Sequence, residues 1–299
     1  MKYEIIVLLL LKSNSKTILV RRNNMGKIKI ITDTTSYITK EFAKKMDLSV
    51  VSLNYIFDGV TEREGFPGEF NDFYEKLMGT KLFPTTSQPS TADFLTEYKK
   101  AFDDGYDEII AILLSSKLSG TYNSAVLAKN ILEDERITII DSLQAASNLR
   151  FLVEDALNMA SKGKTKEEIV EYLEGKKNDM FVYLTVDTLE YLRRGGRLSG
   201  VQSAIGEILN IKPIIQLKDG ELKLLEKIRG KNKAIKAISK RIPDNVEKIS
   251  ICHILNEGEA LRLKEDLELR FPMAKVSIDV LGPVIGCHLG PKAMGICFY

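Results

Sequence analysis

The segment EIIAILLSSKLSGTYNSAVLAKNIL, residues 108–132, decides how the first half of the chain folds. Its opening stretch, residues 108–114, is short and rich in isoleucine and leucine, which indicates a buried strand. Apolar residues then recur at helical spacing after residue 121. Such a strand-to-helix junction opens toward ligands at the edge of an α/β sheet, and its free N–H groups favour an anion. The alternative is that Ser119 or Thr121 only caps the helix.

Similar units of strand, loop and helix lie on either side of this segment. Strands are predicted at residues 27–32 (KIKIIT), 49–57 and 137–140. Helices are predicted at residues 38–46, 70–78, 94–102 and 145–162. This alternation is typical of an α/β fold with a mostly parallel sheet and helices on both faces.

The composition changes at residues 161–165 (SKGKT), where a domain boundary is predicted. An N-terminal α/β domain would span residues 25–163 and a C-terminal α/β domain residues 164–299. In the second domain, Asp219-Gly220 predicts a hairpin turn between strands 213–217 and 221–225. Further strands are expected at 180–186 and 249–254, and helices at 202–209, 231–241 and 257–269.

Residues 1–24 do not fit this pattern. The unbroken apolar run 5–11 is too short to span a bilayer and lacks the flanks of a secretory signal, so no stable membrane insertion is expected. Met25 directly precedes the first clear strand. Residues 1–24 are interpreted as an upstream extension or a misplaced start, with an extra hydrophobic edge strand or anchor as the alternative.

Composition limits the classes of function. Of the 299 residues, 44% are hydrophobic and 28% are charged, an ordinary globular balance. A net charge of +2 gives no basis for general nucleic-acid binding. The three cysteines form no CxxC pair, which fits a reducing cytoplasm. The chain has only two histidines, so a mechanism that needs several imidazole groups is excluded.

A second polar loop, PTTSQPS at residues 84–90, carries several small hydroxyl groups ahead of another helix. It is either a ligand loop or a turn whose Ser90 or Thr91 caps that helix. Neither this loop nor residues 115–121 contains a GxxxxGK[ST], GxGxxG or GxSxG pattern. A nucleotide site is therefore not indicated.

The two histidines have different surroundings. His253 lies in an apolar strand, where a core histidine is expected. His288 lies in VIGCHLGP, a glycine-rich loop that lets the backbone approach a ligand. The adjacent Cys287 completes no ligand spacing, so no metal site is predicted. Asp33 and Asp141 each follow a strand and are expected to cap loops rather than to bind Mg²⁺ or transfer protons.

The segment YLRRGGRLSG, residues 191–200, places three arginines around two glycines. Arginine in a glycine-bearing loop suits an exposed anionic partner, either a phosphate or an acidic protein surface. A solvated loop without a partner is the alternative.

Together these segments resemble the DegV family of bacterial proteins. The resemblance rests on TTSQPS, SSKLSGTYNSA, the pair Asp141-Ser142, YLRRGGR, NIKPII with a following Asp-Gly, and HLGPKAMG, in that order over residues 25–299. It implies two α/β domains with a long-chain fatty acid in a cleft between them. It also implies a carrier of the type called FakB, without catalytic activity or cofactor. Such a carrier presents fatty acid to a separate ATP-dependent fatty acid kinase, which makes acyl phosphate for phospholipid synthesis.

The resemblance also implies roles for individual residues. Hydroxyl and imidazole groups would bind the carboxylate at Thr86, Ser119 and His288, with Ser87 and Gly120 as further candidates.

Two arginines, Arg194 and Arg197, fall where family arginines are thought to meet the kinase. The chain departs from the usual family pattern at Ser52, where proline is common, and at Asn148, where glycine is common. The first loop reads DTTS rather than DST. These departures lie outside the proposed carboxylate site, so they bear on the shape of the tail site more than on function.

Two other functions stay open at this point. A serine hydrolase or acyltransferase would pair Ser119 with His288, although the sequence offers no evident third group to orient the imidazole. A two-domain small-molecule sensor would instead bind a phosphate compound and change its domain arrangement.

Overall fold

The computed structural model describes residues 26–204 and 211–299, with no side-chain description at 202–204. The predictions for residues 1–24 and for most of helix 202–209 lie outside these ranges. The strands are β1 (Ile28–Asp33), β2 (Ser49–Val51), β3 (Asn54–Phe57), β4 (Val60–Arg63), β5 (Thr85–Ser87), β6 (Glu108–Leu113), β7 (Ile137–Asp141), β8 (Phe181–Thr185), β9 (Ile211–Lys218), β10 (Glu221–Arg229), β11 (Lys248–His253), β12 (Lys275–Val280) and β13 (Met294–Phe298). The helices are α1 (Lys40–Lys45), α2 (Asn71–Met78), α3 (Thr91–Asp103), α4 (Thr121–Leu132), α5 (Ala146–Ser161), α6 (Lys166–Lys176), α7 (Glu190–Arg194), α8 (Lys231–Ser239), α9 (Glu257–Arg270) and α10 (Pro283–Leu289).

The first sheet is parallel throughout, with the strand order β2-β1-β6-β7. Its central strands carry apolar side chains on both faces, because helices cover both sides. Phe94 and Tyr98 of α3 pack on one face, and Leu149 and Leu152 of α5 pack on the other. The predicted parallel sheet flanked by helices is confirmed.

The second sheet has six strands in the order β10-β9-β8-β13-β11-β12, and only β11 and β12 run parallel. Side chains of β8 alternate between its two faces. Val182 and Leu184 face the first half of the molecule, whereas Tyr183 packs with the cluster under α8 and α9. One face of this sheet is therefore available to line a space between the two sheets.

The domain boundary at residues 163/164 stays a prediction. Ile169 and Leu173 of α6 pack in the same cluster as Ile110 and Ile112 of the first sheet. This packing places α6 with the first half of the molecule and favours a boundary closer to β8.

A third, antiparallel sheet joins β4, β3 and β5. The sequence prediction of one strand over residues 49–57 is wrong, because the chain leaves the parallel sheet after Val51. There the Ser52 hydroxyl donates to the Glu64 carbonyl at 2.7 Å, and Leu53 N donates to Thr34 Oγ1 at 3.2 Å. These bonds redirect the chain into the small sheet.

Three predicted loops contain regular structure. Residues 85–87 of the hydroxyl-rich loop form edge strand β5, the first part of 191–200 is helix α7, and most of the glycine-rich segment around His288 is helix α10. Pro283 stands at the start of α10, where its missing N–H costs nothing. Among the described helices, none has the length and apolar character needed to cross a membrane.

The predicted hairpin is confirmed. Strands β9 and β10 pair antiparallel, with Lys218 opposite Glu221. Asp219 and Gly220 between them have φ values of 54° and 80°, which suit the tight turn that Asp-Gly favours.

Candidate ligand-binding site

A cavity of about 430 Å³ lies between the first and second sheets. Most of its wall is apolar and comes from the inward face of the second sheet, from α10 and from the loop before α4. The apolar lining includes Leu53, Leu118, Val182, Leu184, Leu217, Leu281, Val284, Leu289 and Met294. Polar residues line the cavity at Thr86, Ser87, Gln88, Ser119, Arg197 and His288.

Thr86 and His288 meet in this wall although 202 positions separate them. Thr86 lies on β5, and His288 lies in the last turn of α10. Thr86 Oγ1 and His288 Nε2 are 2.8 Å apart, which is a hydrogen bond. The structure thus brings two of the predicted carboxylate ligands together.

The imidazole of His288 is held in its neutral form. Burial and the nearby positive charge of Arg197 lower the pKa of His288 to about 4. Its Nδ1 atom is buried and has no hydrogen-bond partner within the described residues. A methyl group at Gly195 would overlap Nδ1, so only glycine permits the ring to sit there.

Ser119 and Gly120 lie in the wall of the same cavity, at the start of α4. The Ser119 hydroxyl lies 2.9 Å from Thr121 Oγ1 and accepts a bond from Thr121 N at 3.3 Å. The N-cap residue of α4 is Gly120, and no side chain caps the helix, so the alternative in which Ser119 or Thr121 only caps α4 is wrong. Ser119 lies one residue before this N-cap and lines the cavity. A methyl group at Gly120 would overlap the Gln88 side chain, which donates to Ser124 Oγ at 3.0 Å.

The two strand-end aspartates fix the loop that carries Ser119. Asp33 accepts bonds from Leu114 N at 2.8 Å and Thr35 N at 3.0 Å. Burial raises the pKa of Asp33, against the effect of these bonds. Asp141 accepts a bond from Ser116 N at 3.0 Å. The prediction that both aspartates cap loops is confirmed.

The two arginines assigned to partner docking have different environments. Arg194 is exposed, lies 3.9 Å over the Phe83 ring and donates to Glu190 Oε1 at 2.5 Å. Arg197 is only partly exposed and lines the cavity. Its guanidinium donates to Leu118 O at 2.9 and 3.0 Å and to Gly195 O at 2.6 Å. The position of Arg197 therefore favours a role in the ligand site, unlike the predicted docking role.

The cavity wall also contains residues that the sequence analysis did not assign to a site. Cys252 and Cys297 are buried, line the cavity, and have their sulfur atoms 3.6 Å apart. Ser147 Oγ lies 3.1 Å from Cys252 Sγ and donates to Asp279 Oδ2 at 2.6 Å. In the sequence, the only signal for a buried position of these two cysteines is the apolar residues around them. By contrast, His253 is 3% exposed, as expected for a core histidine.

The lining defines what chemistry the cavity suits. At one end it offers hydroxyl groups, a neutral imidazole and one guanidinium, and elsewhere it offers almost only carbon. A ligand with one anionic end and a long apolar body matches both parts.

Comparison with known proteins agrees with this geometry. The family model described as "Uncharacterised protein, DegV family" matches residues 27–299. A DegV domain-containing protein of Listeria innocua is 34% identical over 275 residues, covering 90% of this chain and 97% of the relative. The structure of DegV, a fatty acid binding protein from Bacillus subtilis, has a TM-score of 0.80 at 33% identity, covering 91% of this chain and 99% of that one. The Streptococcus pneumoniae Fatty Acid Kinase (Fak) B3 protein, loaded with linoleic acid, has a TM-score of 0.77 with the same coverages, and at 23% identity it bears on the fold alone.

The fold and the cavity place this chain in the class of α/β proteins, with an apolar cavity that has one polar end between its two large sheets. The family match spans nearly the whole chain. This chain belongs to the DegV family.

Proposed function

We propose that this protein binds one long-chain fatty acid and presents it to a separate fatty acid kinase. The carboxylate would lie at Thr86, Ser119 and His288, with Ser87 and Gly120 beside them. The tail would fill the apolar part of the cavity. The observation that carries the proposal is the Thr86–His288 pair at the polar end of an otherwise apolar cavity.

The energetics of both ends are consistent with a fatty acid. An ionised carboxylate needs several donors when it leaves water, because burial of an unpaired charge is costly. Hydroxyl groups and the cation of Arg197 supply them at this end. Each buried methylene contributes roughly 0.8 kcal/mol, so a tail of about sixteen carbons contributes on the order of 10 kcal/mol before ordering costs.

A hydrolase is less well supported. The hydroxyl that pairs with the imidazole is that of Thr86, since Ser119 instead pairs with Thr121. A histidine with a pKa near 4 is a weak base at neutral pH. In addition, its Nδ1 atom has no carboxylate to orient the ring within the described residues. This site therefore supports binding of the ligand better than it supports catalysis by this protein.

The handover to a kinase is supported by the exposed face next to the polar end. Arg193 and Arg194 of α7 both bond Glu190, and these contacts lower the pKa of that carboxyl to about 2. Arg194 keeps an exposed guanidinium beside Phe83. The S. pneumoniae neighbour, a Fatty Acid Kinase (Fak) B3 protein, has the same fold. An exposed cation beside the carboxylate end suits an acidic partner surface.

The test is the lipid content of the protein purified from bacteria. Native mass spectrometry and lipid extraction should find one unmodified fatty acid per chain. Thr86→Ala and Ser119→Ala should each weaken fatty acid binding about 10-fold, as expected for a lost hydrogen bond to a charged group. Thr96→Ala is the matched control, because its hydroxyl bonds only the helix carbonyl of Ala92.

Two results would contradict the proposal. If Thr86→Ala and Ser119→Ala both kept full occupancy and unchanged affinity for fatty acid, the assignment of the carboxylate to these residues would be wrong. A covalent acyl adduct on Thr86 or Ser119 with an activated ester or fluorophosphonate probe would favour acyl transfer instead.

A further inference from the structure

A second cavity, of about 340 Å³, adjoins the polar end of the first. The two cavities share wall residues Leu118, Ser119, Gly120, Arg197 and Leu222. The second cavity is lined mainly by polar groups, in contrast to the first. A group attached to a carboxylate at Ser119 and directed away from the tail would therefore enter a polar space.

The charged groups around this second cavity are two cations and one carboxylate. Lys117 and Glu221 line only the second cavity, whereas Arg197 lines both. Neither Lys117 nor Arg197 forms a salt bridge with any acidic residue in the parts of the chain that the structure describes. The cavity thus has an excess of positive charge that is not neutralised by a direct contact.

The guanidinium of Arg197 has donor capacity left. It carries five N–H groups, of which three point at the carbonyls of Leu118 and Gly195. The remaining two belong to the two terminal nitrogens. Because Arg197 is partly buried, its charge is costly without an anion, and burial lowers its pKa.

We infer that the second cavity is the subsite for the phosphoryl group of an acyl phosphate, the chemical class of product that a kinase makes from a bound carboxylate. This inference rests on the proposed function, because the acyl chain must lie in the first cavity. The carbonyl stays at Thr86 and Ser119, and the phosphoryl group lies between Lys117 and Arg197. Phosphate oxygens match guanidinium and ammonium donors.

This arrangement also explains the different placement of the two cations. Arg197 contacts the wall common to both cavities, so it serves the carboxylate and the phosphoryl group alike. Lys117 is reached only by a ligand that extends beyond the carboxylate. Glu221 opposes the anion and limits its affinity, so the product is not held too tightly to be passed on.

The experiment compares two ligands with the same acyl chain. One is palmitate, and the other is its β-ketophosphonate analogue, in which a methylene replaces the bridging oxygen of the acyl phosphate. Lys117→Ala should weaken the phosphonate about 5-fold, the upper end for an exposed charge pair, and leave palmitate unchanged. Glu221→Gln should strengthen the phosphonate about 3-fold. Lys99→Ala, which removes an exposed lysine on α3, is the matched control.

The outcomes separate the subsite from the proposed function. In one outcome, palmitate binds, but the phosphonate has the same affinity for the wild type, Lys117→Ala and Lys99→Ala. This result overturns the phosphoryl subsite and leaves the proposed fatty acid site intact. Absence of palmitate binding in the wild type removes the proposed function itself. Inorganic phosphate titrated into the palmitate-loaded protein tests a free anion. Saturable binding that Lys117→Ala abolishes would assign the cavity to free phosphate and overturn the acyl phosphate subsite.

Discussion

Substitution of Glu64 gives a sharp test of the electrostatics around α10. Glu64 is only 3% exposed, and its Oε1 atom accepts a bond from Val284 N at 2.8 Å. Its Oε2 atom has no partner among the described residues. Burial, with a smaller contribution from the charge of Asp33, raises the pKa of Glu64 to about 7, against the effect of the Val284 bond.

The sign of the pH dependence follows from that pKa. The folded protein holds the Glu64 proton more tightly than the unfolded chain, where the ordinary value is 4.5. Stability from this group is therefore greatest at low pH and is lost as pH rises from 4.5 to 7. Between pH 5 and pH 8, ionisation of Glu64 lowers the free energy of unfolding by about 2–3 kcal/mol. Glu64→Gln removes this loss and keeps an acceptor for Val284 N.

Urea unfolding at pH 5 and pH 8 measures the effect. Any pH-independent cost of the new amide cancels when the pH 5 to pH 8 change in the variant is compared with that in the wild type. Glu75→Gln, an exposed position on α2, should show the wild-type change. If Glu64→Gln retains the whole wild-type loss of stability between these pH values, Glu64 titrates like an exposed glutamate and the reasoning fails.

Two further predictions concern the polar end of the ligand cavity. Gly195→Ala should push the His288 ring away from Thr86 and weaken fatty acid binding about 10-fold, measured by displacement of a fluorescent fatty acid; unchanged affinity would show that the ring position is unimportant. Arg194→Ala should leave the fatty acid affinity intact and slow acyl phosphate formation by the kinase. Arg197→Ala should weaken the fatty acid affinity itself. If both variants changed this affinity equally, the inferred difference between the two arginines would be wrong.

The regular parts of the first half follow from local pattern. After Glu108, strand β6 is an uninterrupted apolar run, and α3 begins with a capping box in which Ser90 and Asp93 bond each other's backbone N–H. Such signals are contained within a dozen residues, so the sequence alone was sufficient to predict them. The same holds for the Asp219-Gly220 turn.

The site was less predictable, because its parts are determined by distant contacts. Strand β5 is three residues long and exists only through pairing with β3, about thirty positions earlier. The glycines around His288 predicted a loop, but Gly286 lies inside helix α10. It is a glycine because the helix packs tightly against Tyr74 at this position. The position of Arg197 depends on the Leu118 carbonyl, 79 positions away. Family motifs gave the residue identities, and only the fold gives their neighbours.

Strand β13 has a consequence for synthesis of the protein. It follows every other described strand in the chain, yet it lies in the interior of the second sheet, paired with both β8 and β11. While a ribosome is still translating the preceding residues, β8 and β11 each lack a neighbour and present open hydrogen-bonding edges, which favour misassembly. A nascent chain that stops before residue 294 therefore cannot close this sheet, however well its first half has folded.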